Sequence, residues 1–298
     1  MTLIPKVSIC IPTFNEPDFF EYTLKSVLKQ DFQNYEIIIT DDSRNDAIKI
    51  VVDKYLPDPK IKYFKNEKQK GPPANWNEAI TKASGEYIKI LHHDDWFTEI
   101  NSLSLFVKAL DINPDINFCF SATQVSNSDK KLVRIHAPSK KQLTQLKKDP
   151  TILFCGNFIG APSTTMYRRH IRDQYDQKLK WLVDLDLYIR ILQKNRFKYI
   201  EEALIATTSQ AAHQVTTICQ NNKEIEVYEY IYLFQKIYSN TKYNLSEQLK
   251  KIFDKYNILL PKDLKFLGNN LKIDSKIIII LKPSFFKVIK LKIRDLIK

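Results

Sequence analysis

Glycine is scarce in this chain. Its 298 residues include only 5, at Gly71, Gly85, Gly156, Gly160 and Gly268, where ordinary usage of about 7% predicts roughly 20. No two stand at the spacing of a G-x-G-x-x-G fingerprint or a G-x-x-x-x-G-K-[ST] loop, so a glycine-rich phosphate cradle of either kind is excluded. Cysteine is also sparse: Cys10, Cys119, Cys155 and Cys219 form no C-x-x-C pair. That argues against a zinc site or a disulfide framework and fits a reducing compartment. No apolar run approaches the roughly 18 residues that cross a bilayer; the most conspicuous is Ile277–Leu281. The stretch from Met1 to Phe14 is broken by Pro5, Lys6 and Pro12, and no signal peptide is expected there.

What is present is the composition of a folded protein, 44% hydrophobic and 27% charged. The formal charge is +12, and the segment Ile218 to Lys298 carries 16 Lys/Arg against 8 Asp/Glu. Nucleic acid or an anionic membrane would each suit such a segment, and composition does not choose between them.

The first hundred residues alternate strand and helix. Val7–Ile11 is a short β-branched run stopped by Pro12, Pro17 opens a helical pattern through Leu24 and Val27, and Glu36–Thr40 is a second strand. Asp42 or Ser43 is expected to cap the following helix, whose apolar face uses Ile48, Val51, Val52 and Tyr55. Ile61–Phe64 and Tyr87–Leu91 are further strands, with a helix over Asn75–Ala83 between them. Beyond Asp95, Leu103–Leu110 and Trp181–Leu192 have helical spacing, and Asn117–Phe120 and Lys130–His136 read as strands. Ser139–Asp149 is polar, either loop or helix, and helical patterns such as Tyr228–Tyr238 and Leu245–Tyr256 dominate after Ile218. This order predicts an α/β fold with a mainly parallel sheet, whose ligands bind beyond the carboxyl ends of the strands.

Three of the expected strands end in polar residues: Thr13 and Asn15, Asp41-Asp42, and Asp94-Asp95. Aspartate also favours turns for local hydrogen bonding. Two Asp pairs at one sheet edge additionally suit a hard divalent ion, Mg²⁺ or Mn²⁺, which takes one or two carboxylates plus phosphate oxygens. His92 and His93 stand beside the second pair without any zinc spacing, which favours an ordinary strand end for them.

The series Ile11-Pro12-Thr13-Phe14-Asn15-Glu16, Asp41-Asp42-Ser43, Asn75-Trp76-Asn77, Ala83-Ser84-Gly85-Glu86-Tyr87-Ile88 and His93-Asp94-Asp95-Trp96 resembles family 2 glycosyltransferases of the GT-A fold. The likeness covers roughly residues 5–215. It implies an inverting, metal-dependent, hexosyl-type transferase using a nucleoside diphosphate sugar, UDP favoured, and a hydroxyl of a glycan or lipid-linked glycan. By the same resemblance, Pro12, Thr13, Phe14, Asn15 and Glu16 surround the base and ribose, with Asp41, Asp42, Asn75 and Asn77 on the nucleotide-sugar. Asp42 is the preferred contact to the base edge, Asp94 reaches the ribose, and Asp95 holds the metal. His92 stands where the family usually has an acid.

Leu182-Val183-Asp184-Leu185-Asp186-Leu187-Tyr188-Ile189-Arg190 is similar to the family's E-D-x-D-L-x-x-R helix start, which makes Asp184 the general base and Asp186 supporting or structural. An inverting transfer needs a carboxylate to take the acceptor proton; acids in a first helical turn also simply complement the helix dipole. Thr207 to Thr216 resembles a late R-x-H motif, which puts His213 on the diphosphate or metal, with Ala211 in the arginine's place.

The expected division is a GT-A catalytic domain over 1–217 and a C-terminal helical basic extension over 218–298. A helix after Pro283 with Phe285, Phe286, Ile289, Ile293 and Leu296 between lysines has the profile of an interfacial helix on an anionic membrane surface. The expected setting is cytoplasmic, peripheral on the inner membrane face, in polysaccharide biosynthesis, with no nucleic-acid partner. A non-catalytic nucleotide- or glycan-binding protein of the same fold is the alternative. A nucleotidyltransferase normally needs a glycine-rich loop, which this chain does not have.

Overall fold

A computed structural model describes residues 4–209 and 215–281. Its sheet begins with four parallel strands, β1 (Val7–Thr13), β2 (Tyr35–Asp41), β3 (Ile61–Lys65) and β4 (Tyr87–Ile90), in the spatial order β3-β2-β1-β4. Helices α1 (Pro17–Leu28), α2 (Ala47–Asp53) and α3 (Pro72–Lys82) connect them. All residues of β1 and β2 are buried, as expected of central strands covered on both faces.

The sheet continues through β8 (Thr165–Arg168), β6 (Ile116–Ser126), β9 (Arg196–Thr208) and the short β5 (Asp95–Phe97), with β7 (Leu132–His136) hairpinned onto β6. This half is mixed: β8 is antiparallel to β4 and β6, and β9 is parallel to β6 but antiparallel to β5. The 13-residue β9 and the short β8 have no counterpart in the sequence reading.

Side chains alternate between the faces of the sheet. Val7, Ile9 and Ile11 join Ile37 and Ile39 in a core with α1, α2 and α4 (Ser102–Asp111). Cys10, Ile38, Ile88 and Ile90 face the opposite core, with α6 (Val183–Leu192) and, beyond the short α7 (Val215–Cys219), α8 (Lys223–Ile237) and α9 (Ser246–Lys255). Val227, Ile231 and Phe234 of α8 share that core with Tyr188 and Ile191 of α6, so the apolar packing runs unbroken across residue 218. Among the described residues no helix is long and apolar enough to cross a membrane.

Two local devices shape the segments between strands. Gly85 has no room for a side chain, since a Cβ there would lie 2.6 Å from the Ser8 amide nitrogen; this lets the turn before β4 press against β1. Ser139 and Gln142 form a capping box that starts α5 (Lys140–Lys148), which settles Ser139–Asp149 as a helix. The cap expected for α2 falls elsewhere. Its N-cap is Asp46, without a side-chain bond, because Asp42 and Ser43 are committed at the sheet edge: Ser43 Oγ accepts the Asn15 amide at 2.7 Å.

Candidate active site

A cleft of about 810 Å³ opens beyond the carboxyl ends of β1, β2 and β4. Pro12, Thr13, Phe14, Asp42, Asn75, Asp94, Asp95 and Asp184 all line it. Residues brought together from five separate stretches therefore share one cavity. Asn15, Glu16, Asp41 and Asn77 do not line it, and His213 lies outside the described residues.

One end of the cleft is built from loop and strand termini. Asp42 Oδ1 accepts the Asn66 side-chain amide at 2.9 Å and the Lys70 amide at 2.8 Å, and Oδ2 accepts the Gly71 amide at 2.8 Å. Gly71 sits at φ +83°, a left-handed conformation suited to glycine, and N-caps α3. Asn75 donates to the carbonyls of Thr13 at 3.3 Å and Thr40 at 3.1 Å, tying together the ends of β1 and β2.

The residues outside the cleft have other partners. Asp41 is fully buried and points toward β3, accepting Tyr63 Oη at 2.7 Å and Lys65 Nζ at 2.8 Å. Asn15 and Glu16 take left-handed backbone at the turn into α1. Asn77 exchanges two hydrogen bonds with the Tyr175 backbone, donating at 2.9 Å and accepting at 2.8 Å. These three contacts are structural: a strand tie, a turn and a loop anchor.

The acidic end follows β4. The carbonyls of His93 and Asp95 lie 2.8 and 2.7 Å from Thr23 Oγ1, the Asp94 carbonyl accepts Thr208 Oγ1 at 2.8 Å, and the His92 amide donates to Ser163 Oγ at 2.9 Å. Trp76 packs on the His92 ring, with centroids 4.6 Å apart. Ligand atoms of His92, Asp94 and Asp95 lie within 4.8 Å of one another. Burial, with the neighbouring Asp94 charge, pushes the Asp95 carboxyl well above the usual range. Burial lowers His92 to about 4, which keeps its imidazole neutral. Two crowded carboxylates beside a neutral imidazole fit a divalent cation, which would supply the missing positive charge. Beneath them Lys89 is completely buried, its Nζ bonded to the Ser163 and Thr165 carbonyls, and burial lowers it to about 7.

Asp184 enters from the first turn of α6. Its Oδ1 is buried without a hydrogen-bond partner among the described residues. Burial, followed by the charge of Glu229, raises the carboxyl to about 8. The helix N-terminus would favour the anion, but desolvation outweighs it here. Asp186 in the same turn is 1% exposed and ion-paired: Arg190 approaches at 2.8 Å and Lys236 at 2.5 Å.

Sequence reasoning passed over Arg134, His136, Lys180 and Trp181, which also line the cleft. Arg134 and His136 alternate on a strand otherwise marked by exposed Leu132, Val133 and Ile135, a pattern that gives no sign of a site. Trp76 stood within a recognised motif and carried no assignment.

The sequence model described as "Glycosyl transferase family 2" matches residues 8–176. Among curated proteins, the chain is 28% identical to the Escherichia coli UDP-Glc:alpha-D-GlcNAc-diphosphoundecaprenol beta-1,3-glucosyltransferase WfgD, over 67% of this chain and 75% of that one. It is 43% identical over 94 residues to a Campylobacter jejuni GalNAc(5)-diNAcBac-PP-undecaprenol beta-1,3-glucosyltransferase. That match spans 31% of this chain and only 30% of the relative. Among solved structures, S. aureus TarS 1–349 in complex with UDP-GlcNAc aligns with a TM-score of 0.63 at 18% identity, covering 89% of this chain and 76% of that one. A mannosyltransferase from Pyrobaculum calidifontis in complex with GDP-Man and Mn²⁺ aligns with a TM-score of 0.58 at 14% identity, over 86% and 70% of the two chains. The structural likeness establishes the GT-A fold, and the match over residues 8–176 establishes the family: the chain belongs to glycosyl transferase family 2.

Proposed function

We propose that this glycosyltransferase moves a hexosyl unit, with inversion, from a nucleoside diphosphate sugar to a hydroxyl of a lipid-linked glycan. The observation that carries the reading is the unpartnered, buried Asp184 carboxylate oxygen in the same cleft as Asp42, Asp94 and Asp95. The acceptor oxygen attacks the anomeric carbon, the bond from that carbon to the diphosphate oxygen breaks, and Asp184 takes the acceptor's proton. A base poised near 8 is matched to that duty at neutral pH. Asp95, Asp94 and His92 would hold Mg²⁺ or Mn²⁺, which supplies positive charge to the leaving diphosphate. Asp42 and the β1 terminus shape the nucleotide subsite, UDP being the favoured donor.

The relatives named above support a lipid-linked acceptor, since two of them are named for undecaprenol-diphosphate substrates. The basic helix after Pro283 and a metal contact from His213 belong to the same proposal but lie outside the described residues. So does peripheral residence on the cytoplasmic membrane face.

A panel of UDP- and GDP-sugars with Mn²⁺ or Mg²⁺, read as nucleotide release with and without an undecaprenyl-diphosphate glycan, tests the reading. Acceptor-stimulated release that vanishes in Asp184→Asn supports it. Tight donor binding by calorimetry with no release from any donor would instead establish a non-catalytic binding protein.

A further inference from the structure

The longest α-helix among the described residues, α8, reaches back to the turn that carries Asp184. Helix N-termini leave their first amide groups without intrahelical partners, and the N-cap of α6, Leu182, has no side chain able to help. The Glu229 carboxylate, 2% exposed on α8, takes the amide of that N-cap residue and the two amides before it. Its Oε1 accepts the Lys180 amide at 2.7 Å, and Oε2 accepts the amides of Trp181 at 3.0 Å and Leu182 at 2.7 Å. Farther along α8, Lys236 holds Asp186 at 2.5 Å and Asp176 at 2.8 Å, and Tyr232 donates to Asp176 at 2.8 Å. α8 thus grips α6 on both sides of Asp184 in sequence.

We propose that Glu229 is a positioning residue for sugar transfer, capping the amino end of α6 from outside and so fixing where Asp184 stands in the cleft. The proposal rests on the reading of Asp184 as the base. Glu229 also acts through charge, since it is the charged neighbour that opposes ionisation of Asp184. The other groups around Asp184 are Tyr175 and Lys180 from the preceding segment and Tyr188 on its own helix. Asp186 is neutralised by Arg190 and Lys236, and His92, Asp95, Arg134 and His136 face the same cleft. None of these residues is itself substituted in the Glu229 variants.

The test uses the full chain and three readouts. Wild-type amides of residues 180–182 are expected to exchange hydrogen as slowly as the interior of α6, and rates typical of an open loop would overturn the proposal whatever the variants do. In Glu229→Gln, which retains one acceptor oxygen, exchange at 180–182 accelerates at least tenfold. The ¹³C-carboxyl titration of Asp184, assigned through Asp184→Asn, moves down by about one pH unit as the like charge disappears. Glu229→Asp keeps the charge on a shorter arm; nucleotide release falls at least tenfold while the acid limb of its pH profile stays in place. Unchanged exchange and an unchanged Asp184 midpoint in Glu229→Gln would refute the role. Full activity in Asp184→Asn would sink the base assignment instead, leaving the capping result to stand separately.

Discussion

The carboxylate of Asp42 accepts the backbone amide of Gly71 at 2.8 Å, linking the end of β2 to the residue that opens α3. The adjacent Asp41 turns the other way, to Lys65 and Tyr63. Neighbouring residues on a strand face opposite sides, so this pair divides into one cleft residue and one structural residue.

The two substitutions should therefore separate. Asp42→Ala is expected to weaken donor binding at least tenfold by calorimetry, because it removes a cleft carboxylate and frees the 66–71 loop. Asp41→Ala is expected to cost about 2–3 kcal/mol of stability through lost charged hydrogen bonds, leaving donor affinity at fixed folded concentration near wild type. Equal affinity losses in both would show that the assignment of faces is wrong.

Replacing Asp184 by Asn should lower turnover by about 10²–10⁴-fold with donor binding retained. In the wild type the rate should climb as pH rises through about 8, where the carboxyl loses its proton, and level off above. Stability runs the opposite way. The folded value lies above the ordinary 3.8, so the stability that the neutral form provides is complete below about pH 4 and drains as pH rises through 8. Asp184→Asn escapes that loss. Its melting temperature should match wild type at pH 4 and exceed it at pH 8 by about 2–4 °C for each kcal/mol relieved.

Metal binding has a readout independent of turnover. A cation at 100 times its dissociation constant stabilises the folded state by about 2.7 kcal/mol, so Mn²⁺ should raise the wild-type melting temperature. Asp95→Asn should abolish that rise. A shift that survives in this variant would move the metal away from the acidic end of the cleft.

Gly85→Ala probes the amino-terminal edge of the sheet, at the other end of the strands from the cleft. Its new Cβ would meet the Ser8 backbone at 2.6 Å, and overpacking of this kind costs about 1–3 kcal/mol. Chemical denaturation should show a lowered midpoint with an unchanged slope; wild-type stability would mean that the turn yields freely.

Much of this molecule was legible from its residues. The β-branched runs at Val7, Glu36 and Tyr87 are covered on both faces, so hydrophobicity alone marks them, and the acids beyond their ends mark the cleft. β9 was illegible because Arg196–Thr208 mixes exposed Lys198, Glu201 and Glu202 with a core-facing Leu204 and Ile205, and its pairing with β6 is a long-range fact. Asn77 looked equivalent to Asn75, yet two positions along a helix turn a side chain to another face. Glu229 carried no signal at all: nothing in the helical pattern of α8 shows that two of its three acids, Glu226 and Glu229, are buried.

The continuity of packing across residue 218 also bears on how the protein comes into being. A polypeptide emerges from the ribosome amino end first, so Asp184 appears some forty residues before the helix that steadies it. Until α8 has docked, the nascent cleft has its donor-side wall but lacks the buttress behind its base. On the proposed roles of Asp184 and Glu229, competence for transfer would arrive late in synthesis, and a product trimmed at residue 217 would bare the apolar flank of α6 to solvent.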